Sequence, residues 1–344
     1  MCATETLPGG HDRVVLAHGG GGELTNRLIQ ECVLPALTNE RLAPLTDSAV
    51  LPWEAGEVVF TTDSFVVTPL EFPGGDIGVL AVAGTVNDLS VMGATPVALS
   101  LGLIIEEGLP FAVLKRIVAS IAATARAADV QVVTGDTKVI EHRGGDGLFI
   151  NTAGVGRLRP GVRLDVSRVR AGDVILVNGR LAEHGLTIMS VRNGIAFESD
   201  LRSDAVPLNH LVADVLDTGA DVRFIRDATR GGLAGVLADI SEQCRLSIRI
   251  DEDRLPLSPT ARHAAEMLGL DPVTVANEGL LVCLVAAGDA DRVLQAMRRR
   301  REGRNAAVIG EVTDLNPPLV ELHTRAGGQR IIQRPYGEEL PRIC

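Results

Sequence analysis

The chain alternates between stretches with helical spacing and short apolar runs of strand length. The clearest helical pattern covers 76–93, where Ile77, Leu80, Val82, Val86, Leu89 and Met92 recur at mostly helical intervals. A long Ala-rich helix is predicted from Pro110 to about residue 128, since proline suits a first helical turn, where its missing N–H has no partner to lose. A glycine-rich turn at 17–22 leads into a predicted helix at 24–37. Strands are predicted at 58–62, 130–133 and 148–156. Asp63 then sits at the end of the first, and the sequence TGDTK at 134–138 closes the second as a turn.

The stretch 157–172 is rich in Arg, Gly and Pro and has no period, so the domain boundary is placed there. The alternation then resumes. Strands are predicted at 173–177, 223–225, 246–250, 280–285 and 307–312, and helices at 182–191, 207–216, 233–241, 259–268 and from Asp289. This pattern indicates an α/β or α+β class. The expected division is 1–156, 157–330 and a tail at 331–344.

Composition narrows the reading. Hydrophobic residues make up 46% of the chain but aromatics only 3%, which points to aliphatic packing of helices on sheets. A net charge of -11 argues against broad electrostatic binding to nucleic acid or anionic membrane. The arginine run 298–301 reads as the solvated end of a helix. No apolar run is long enough to span a bilayer, and the first residues lack a signal-peptide pattern, so a cytoplasmic protein is expected. The five cysteines show no metal or redox spacing, and Cys283, inside an apolar run, is expected to be buried and inert.

The acidic residues are more informative. Asp47, Asp63, Asp136 and Asp227 fall at predicted strand ends or turns among small residues. Each alone reads as a cap or turn residue. Asp88 differs because it lies inside an apolar helix, where a carboxylate is costly unless it is paired or binds a metal. Hard carboxylates without soft ligands point to Mg²⁺, an ion usually held by a few carboxylates and the phosphates of a nucleotide. Gly19, Gly20 and Gly21 offer backbone N–H groups for such phosphates, as does Arg230-Gly231-Gly232 ahead of the helix at 233. No P-loop pattern is present. Lys138, one of only two lysines, follows an acidic turn and is a candidate for phosphate contact or proton transfer. Glu278 stands just before a buried strand and is a candidate base of raised pKa. His18 and His184 rank lower.

Cys344 closes the chain. Chain ends are poorly ordered unless tied down, so an unpacked thiol is expected there. Pro335 and Pro341 disfavour a docked helix, and the residues from Arg334 onward span about 35 Å when extended. A mobile thiolate of that reach suits covalent carriage of a group.

Together these segments resemble the HypE family, within the AIR synthase-related (PurM-like) ATP-binding proteins. The matching stretches are AHGGGGELTNRLI, TTDSFVVTPLEFPGGDIGVLAVAGTVNDLSVMGATPVALS, VVTGDTKVIE, GLFINTAGVG, IRDATRGGLAGVL, DPVTVANEG and the final PRIC. The one departure noted is Glu71, where a bulky apolar residue is expected. The resemblance implies a two-domain PurM-like fold and a homodimer whose N-terminal domains join their sheets. It implies maturation of nickel–iron hydrogenases. It implies that the carbamoyltransferase HypF loads a carbamoyl group on Cys344, that ATP drives its dehydration to thiocyanate, and that the cyano group passes to iron on the HypC–HypD complex. It also implies that Asp47, Asp63, Asp88 and Asp227 hold Mg²⁺ and ATP phosphates, with Lys138 and Glu278 near the docked tail.

Two alternatives stand beside it. A selenophosphate synthetase-like kinase needs a reactive cysteine by the N-terminal glycine loop, and Cys2 lies well before that loop. A non-catalytic ATP-binding scaffold has no need of Cys344. If a terminal thiol must enter a narrow pocket first, one residue appended after Cys344 impairs dehydration and leaves ATP binding largely intact. Mass spectrometry of the last peptide and a nucleotide titration read the two effects.

Overall fold

The computed structural model describes residues 13–15, 18, 27–40, 42, 56–142, 145–195, 201–315, 317–335, 340 and 343–344. The N-terminal half contains α1 (Leu34–Leu37), β1 (Val58–Phe65), β2 (Glu71–Phe72), β3 (Gly75–Asp76), α2 (Ile77–Val91), β4 (Ala94–Glu106), α3 (Phe111–Ala127), β5 (Gln131–Ile140) and β6 (Leu148–Leu158). Of the helix expected at 24–37, the described part is helical, with a π-turn at Ile29–Val33 leading into α1.

The strongest helical pattern becomes the centre of the molecule. Asp76 caps α2 by accepting from Gly78 N at 2.8 Å and Val79 N at 2.9 Å. The helix is apolar on nearly every side, so it can be buried on every side. It packs on the first sheet, on α3 and on elements of the C-terminal half.

The first sheet has the order β1-β6-β4-β5, with β4 and β5 parallel and the other pairs antiparallel. Its central strand, β4, is not predicted from sequence, because Pro96 and Gly102 dilute the strand pattern between two strong helices. The turn expected at 134–138 is also absent. β5 runs straight through it, so Asp136 and Lys138 are strand residues. Pairing with β4 keeps the segment extended, and at Gly135 a Cβ would stand 2.2 Å from Leu101 O. Asp63 likewise lies inside β1 rather than at its end. Helices α2 and α3 cover one face of this sheet. The opposite face leaves Phe60 66% and Ile104 40% exposed.

The C-terminal half contains β7 (Val174–Val177), α4 (Glu183–Arg192), α5 (Asn209–Asp217), β8 (Val222–Asp227), α6 (Gly232–Cys244), β9 (Ser247–Asp251), α7 (Pro259–Leu268), β10 (Leu281–Val285), α8 (Ala290–Arg298), β11 (Ala307–Thr313), β12 (Val320–His323) and β13 (Gln329–Ile332). The second sheet has the order β13-β12-β9-β11-β7-β10-β8 and is antiparallel except between β12 and β9. Strand β10 is buried on both faces. Leu281, Cys283 and Val285 join residues of α5 and α8, while Val282 and Leu284 join residues of α4, α6 and α7. Cys283 is buried as expected, and burial pushes its thiol up to about 12.

Asn87 ties the two halves together. From α2, its amide donates to Val206 O at 3.1 Å and Glu278 O at 3.4 Å, and its carbonyl accepts from Leu208 N at 2.7 Å. Among the described residues, no helix is long and apolar enough to cross a membrane.

Candidate active site

At the junction of the halves, one cavity of about 490 Å³ collects groups that lie far apart in sequence. Asp63 comes from β1, Asp88 from the last turn of α2, Asp227 from the end of β8, Glu278 from the bend before β10, and Cys344 from the tail. Alternation along β1 puts Thr61 and Asp63 on the helix-covered side. The Thr61 hydroxyl donates to Asp88 Oδ2 at 2.8 Å, and Ser64 N donates to Asp63 Oδ1 at 2.7 Å.

All of these acids are held above their ordinary pKa. Burial raises Asp63 against the opposing pull of the Ser64 N–H. Burial also raises Asp88, outweighing its bond from Thr61, and the neighbouring Asp63 adds to the shift. The C-terminal end of a helix dipole is a further unfavourable place for a carboxylate. Asp227 opens to the cavity yet is surrounded by protein, and burial followed by the charge of Asp88 pushes it up to about 7.

Glu278 is 4% exposed. Burial lifts its carboxyl well above the usual range, and it hydrogen-bonds the Cys344 side chain. Its Oε1 is buried with no hydrogen-bond partner among the described residues. The Cys344 thiol is also held well above its ordinary value, first by burial and then by Glu278. Near neutral pH the docked thiol is therefore protonated and a poor nucleophile. A carboxyl held this way is a strong base once deprotonated.

The backbone around Glu278 is tightly held. Asp204 accepts from Glu278 N at 3.0 Å and Gly279 N at 3.1 Å, and burial pushes its own carboxyl up to about 6. Asn277 accepts from Ala182 N at 2.7 Å and donates to Ala228 O at 2.8 Å. Asn178 donates to Gly279 O at 3.0 Å. Asp204, Asn178 and Asn87 are absent from the sequence-based set, because no motif or spacing marks a residue whose work is to hold another segment's backbone.

The tail departs from expectation. Leu340 is 8% and Ile343 1% exposed, so the end of the chain is packed rather than frayed. Apolar burial of these side chains supplies the reason, and His184 Nε2 lies 2.7 Å from Ile343 O. Arg334 secures the root of this segment to α6 through Asp239 and through Glu242 at 2.8 Å.

Helix α6 starts at the cavity wall. Gly231 has φ 78° and Gly232 φ 59°, and at Gly232 a Cβ would stand 2.5 Å from Val275 O. The first N–H groups of α6 and the exposed Arg230 therefore offer positive potential opposite the acids. Among the described residues, no three acidic, histidine or cysteine side chains are arranged to hold a metal ion by themselves. The oxygen donors Asp63, Asp88 and Asp227 suit a Mg²⁺ ion completed by phosphate oxygens and water, a common mode for that ion.

Not every candidate is here. Lys138 and Asp136 pair with each other at 3.0 Å on the open side of the first sheet and do not line the cavity. His18 packs edge-on against Phe111, with ring centroids 5.2 Å apart. Asp47, Gly19, Gly20 and Gly21 lie outside the described residues.

Comparison with known proteins agrees with this layout. Residues 45–158 match the AIR synthase related protein, N-terminal domain, and residues 170–318 match the corresponding C-terminal domain. Carbamoyl dehydratase HypE of Azotobacter vinelandii is 47% identical, over 96% of this chain and 97% of its own. The chain belongs to the HypE family. The hydrogenase maturation protein HypE solved in complex with ATP superposes with a TM-score of 0.92 at 41% identity, over 96% of this chain and 99% of that one. A HypE–HypF complex superposes with a TM-score of 0.78 at 41% identity, over 91% of this chain and 100% of that one.

In this HypE-family chain the raised acids carry a stability cost. Asp227 has a folded pKa of about 7, against roughly 3.9 when unfolded, so the folded chain binds the extra proton between those values. Its contribution to ligand-free stability therefore falls as pH rises from about 4 to about 7 and is flat above. Asp227→Asn is expected to raise the ligand-free Tm at pH 8 by about 1–2 °C, as roughly 1 kcal/mol would in a chain of this length, and to leave Tm near pH 4 unchanged. Calorimetry at the two pH values checks this.

Proposed function

We propose that this chain is an ATP-dependent carbamoyl dehydratase of hydrogenase maturation, acting on a group carried by its own Cys344. The observation that carries the reading is the buried Glu278 Oε1 without a partner, beside the thiol that docks there. The NH₂ of an S-carbamoyl group would give that oxygen the donor it lacks.

The residues divide the work. Docked, the Cys344 thiol is too basic to load itself, so HypF loads it with the tail outside the cavity. On return, the carbamoyl group lies against Glu278, which takes a proton from its nitrogen. Asp63, Asp88 and Asp227 hold Mg²⁺ and the nucleotide phosphates at the mouth, and Arg230 and the N–H groups of α6 face the same anion; the family resemblance gives Asp47 the same role. When bound, Mg²⁺–ATP supplies a phosphoryl group for the carbamoyl oxygen, which then leaves as phosphate. The nitrogen's second proton goes to the departing phosphate, the carbon keeps sulfur and nitrogen as a thiocyanate on Cys344, and its cyano group is what the HypC–HypD complex receives. The tail itself keeps water from the reacting group.

Lys138 needs a second chain to take part. In register, Lys138 is paired with Ile104 on the open face of the first sheet, whereas Asp63 faces the helices. A homodimer built on that open face would cover Phe60 and Ile104 and bring each Lys138 against the partner subunit. The chain works in the cytoplasm.

With HypF, carbamoyl phosphate and ATP, the Cys344 peptide gains a carbamoyl group and then loses one water only when ATP is present. Glu278→Gln slows the water loss by about 10²–10⁴-fold without preventing carbamoylation. An unmodified Cys344 peptide sinks the proposal. The second chain is checked by light scattering: the unsubstituted protein runs as a dimer, and Phe60→Glu shifts it to monomer. A monomeric unsubstituted chain would remove any role for Lys138.

A further inference from the structure

His184 is buried with 0% exposure, yet it touches neither the acids nor the cavity. Its Nε2 lies 2.7 Å from Ile343 O, in the peptide unit that joins Ile343 to Cys344. A carbonyl only accepts, so Nε2 must carry the proton. Nδ1, 2.8 Å from Ser203 Oγ, must then accept from that hydroxyl. Burial keeps the ring neutral by lowering it to about 4, in accord with a single proton on Nε2. The Phe72 ring stands edge-on to the imidazole with centroids 5.6 Å apart.

Ser203 is itself fixed. Its N–H donates to Pro73 O at 2.9 Å, and its Oγ accepts from Ala205 N at 3.2 Å. The next residue, Asp204, holds the N–H groups of Glu278 and Gly279. One short segment thus registers both the peptide that carries the thiol and the bend that carries the carboxyl. The Ile343 side chain, 1% exposed, secures the same peptide from its other side.

We propose that His184 and Ser203 are positioning residues that lock the arm at the Ile343–Cys344 peptide and set where the Cys344 group stands against Glu278. The proposal rests on the reading of Cys344 as the carrier. When the arm leaves, the buried His184 N–H loses its acceptor, so the bond favours the docked arm by about tenfold, equivalent to about 1.4 kcal/mol. The lock is separate from the acids, so it sets docking without changing nucleotide contacts. Reaching HypF requires this bond to break, and dehydration requires it to re-form.

Two readouts on the full-length chain test it. The first is the rate of iodoacetamide alkylation of Cys344 in the ligand-free protein, measured on its peptide. The second is single-turnover dehydration of the carbamoylated chain at varied ATP. His184→Asn, too short to reach Ile343 O, is expected to raise alkylation about tenfold and to slow dehydration at saturating ATP, with the ATP dependence unchanged. His184→Gln places an N–H where Nε2 stands and is expected to restore both rates. Ser203→Ala, which frees the ring tautomer, falls between.

Unchanged alkylation in His184→Asn overturns the lock. So does His184→Gln behaving like His184→Asn with Tm intact. If His184→Asn fails to fold, Ser203→Ala decides alone, and unchanged alkylation there overturns the lock. A chain whose alkylation responds as expected but that never loses water keeps the lock and discards the dehydratase reading.

Discussion

Glu278 sits buried beside a thiol, within reach of the charges of Asp63, Asp204 and Asp227, and among the described residues no cationic side chain hydrogen-bonds to it. The rest of the site follows from that constraint. Burial outweighs the nearby arginine charges and raises these carboxyls, so their charged forms are costly in the ligand-free cavity. A cation bound there would favour the charged forms of Asp63, Asp88 and Asp227 and reduce the energetic penalty for deprotonating Glu278. Under the proposed reading, ligand binding and activation of the base are coupled through electrostatics.

Holding such a group requires backbone that cannot relax. The bend at 277–279 is buried and irregular, so its N–H and carbonyl groups need partners that no sheet supplies. Asn87, Asn178 and Asp204 meet that need from separate elements, and the Asn277 side chain ties the bend to Ala228 O. Two of these connections reach the bend from outside the second sheet. Asn87 sits on α2, and Asp204 adjoins Ser203, whose N–H is bound to Pro73 O. The position of the carboxyl therefore depends on both halves of the chain staying docked. The arm obeys the same logic, since its last peptide is fixed by His184 rather than by contacts at the mouth of the cavity.

Local rules were readable where they dominate. The α2 helix shows plainly in its apolar spacing, and Asp88 stands out as a carboxylate in the wrong surroundings. The Leu281–Val285 strand reads as a continuous apolar run because both its faces are covered. Local rules failed where neighbours decide. β4 carries Pro96 and Gly102, and only pairing with β5 and β6 on its two sides keeps it extended. The TGDTK stretch has turn chemistry, yet parallel pairing with β4 draws it into β5 and carries Lys138 to the far side of the sheet from Asp63. Asp204 and Asn178 had no signature, because each acts on backbone distant in sequence, and His184, a low-ranked candidate from sequence, meets Ile343 O only in the fold.

The amino-acid sequence by itself determined the alternating α/β class, the family through its ordered motifs, and the chemical types present: hard carboxylates, a candidate base and a nucleophilic thiol. These depend on composition and short-range spacing, which a chain carries whether or not it is folded. Tertiary structure alone decided which acids share a cavity, that Glu278 Oε1 is left without a partner among the described residues, and that Cys344 is docked, half-buried, at the cavity instead of frayed. Those outcomes depend on desolvation and on contacts between residues far apart in the chain, and both exist only after the two sheets close around α2.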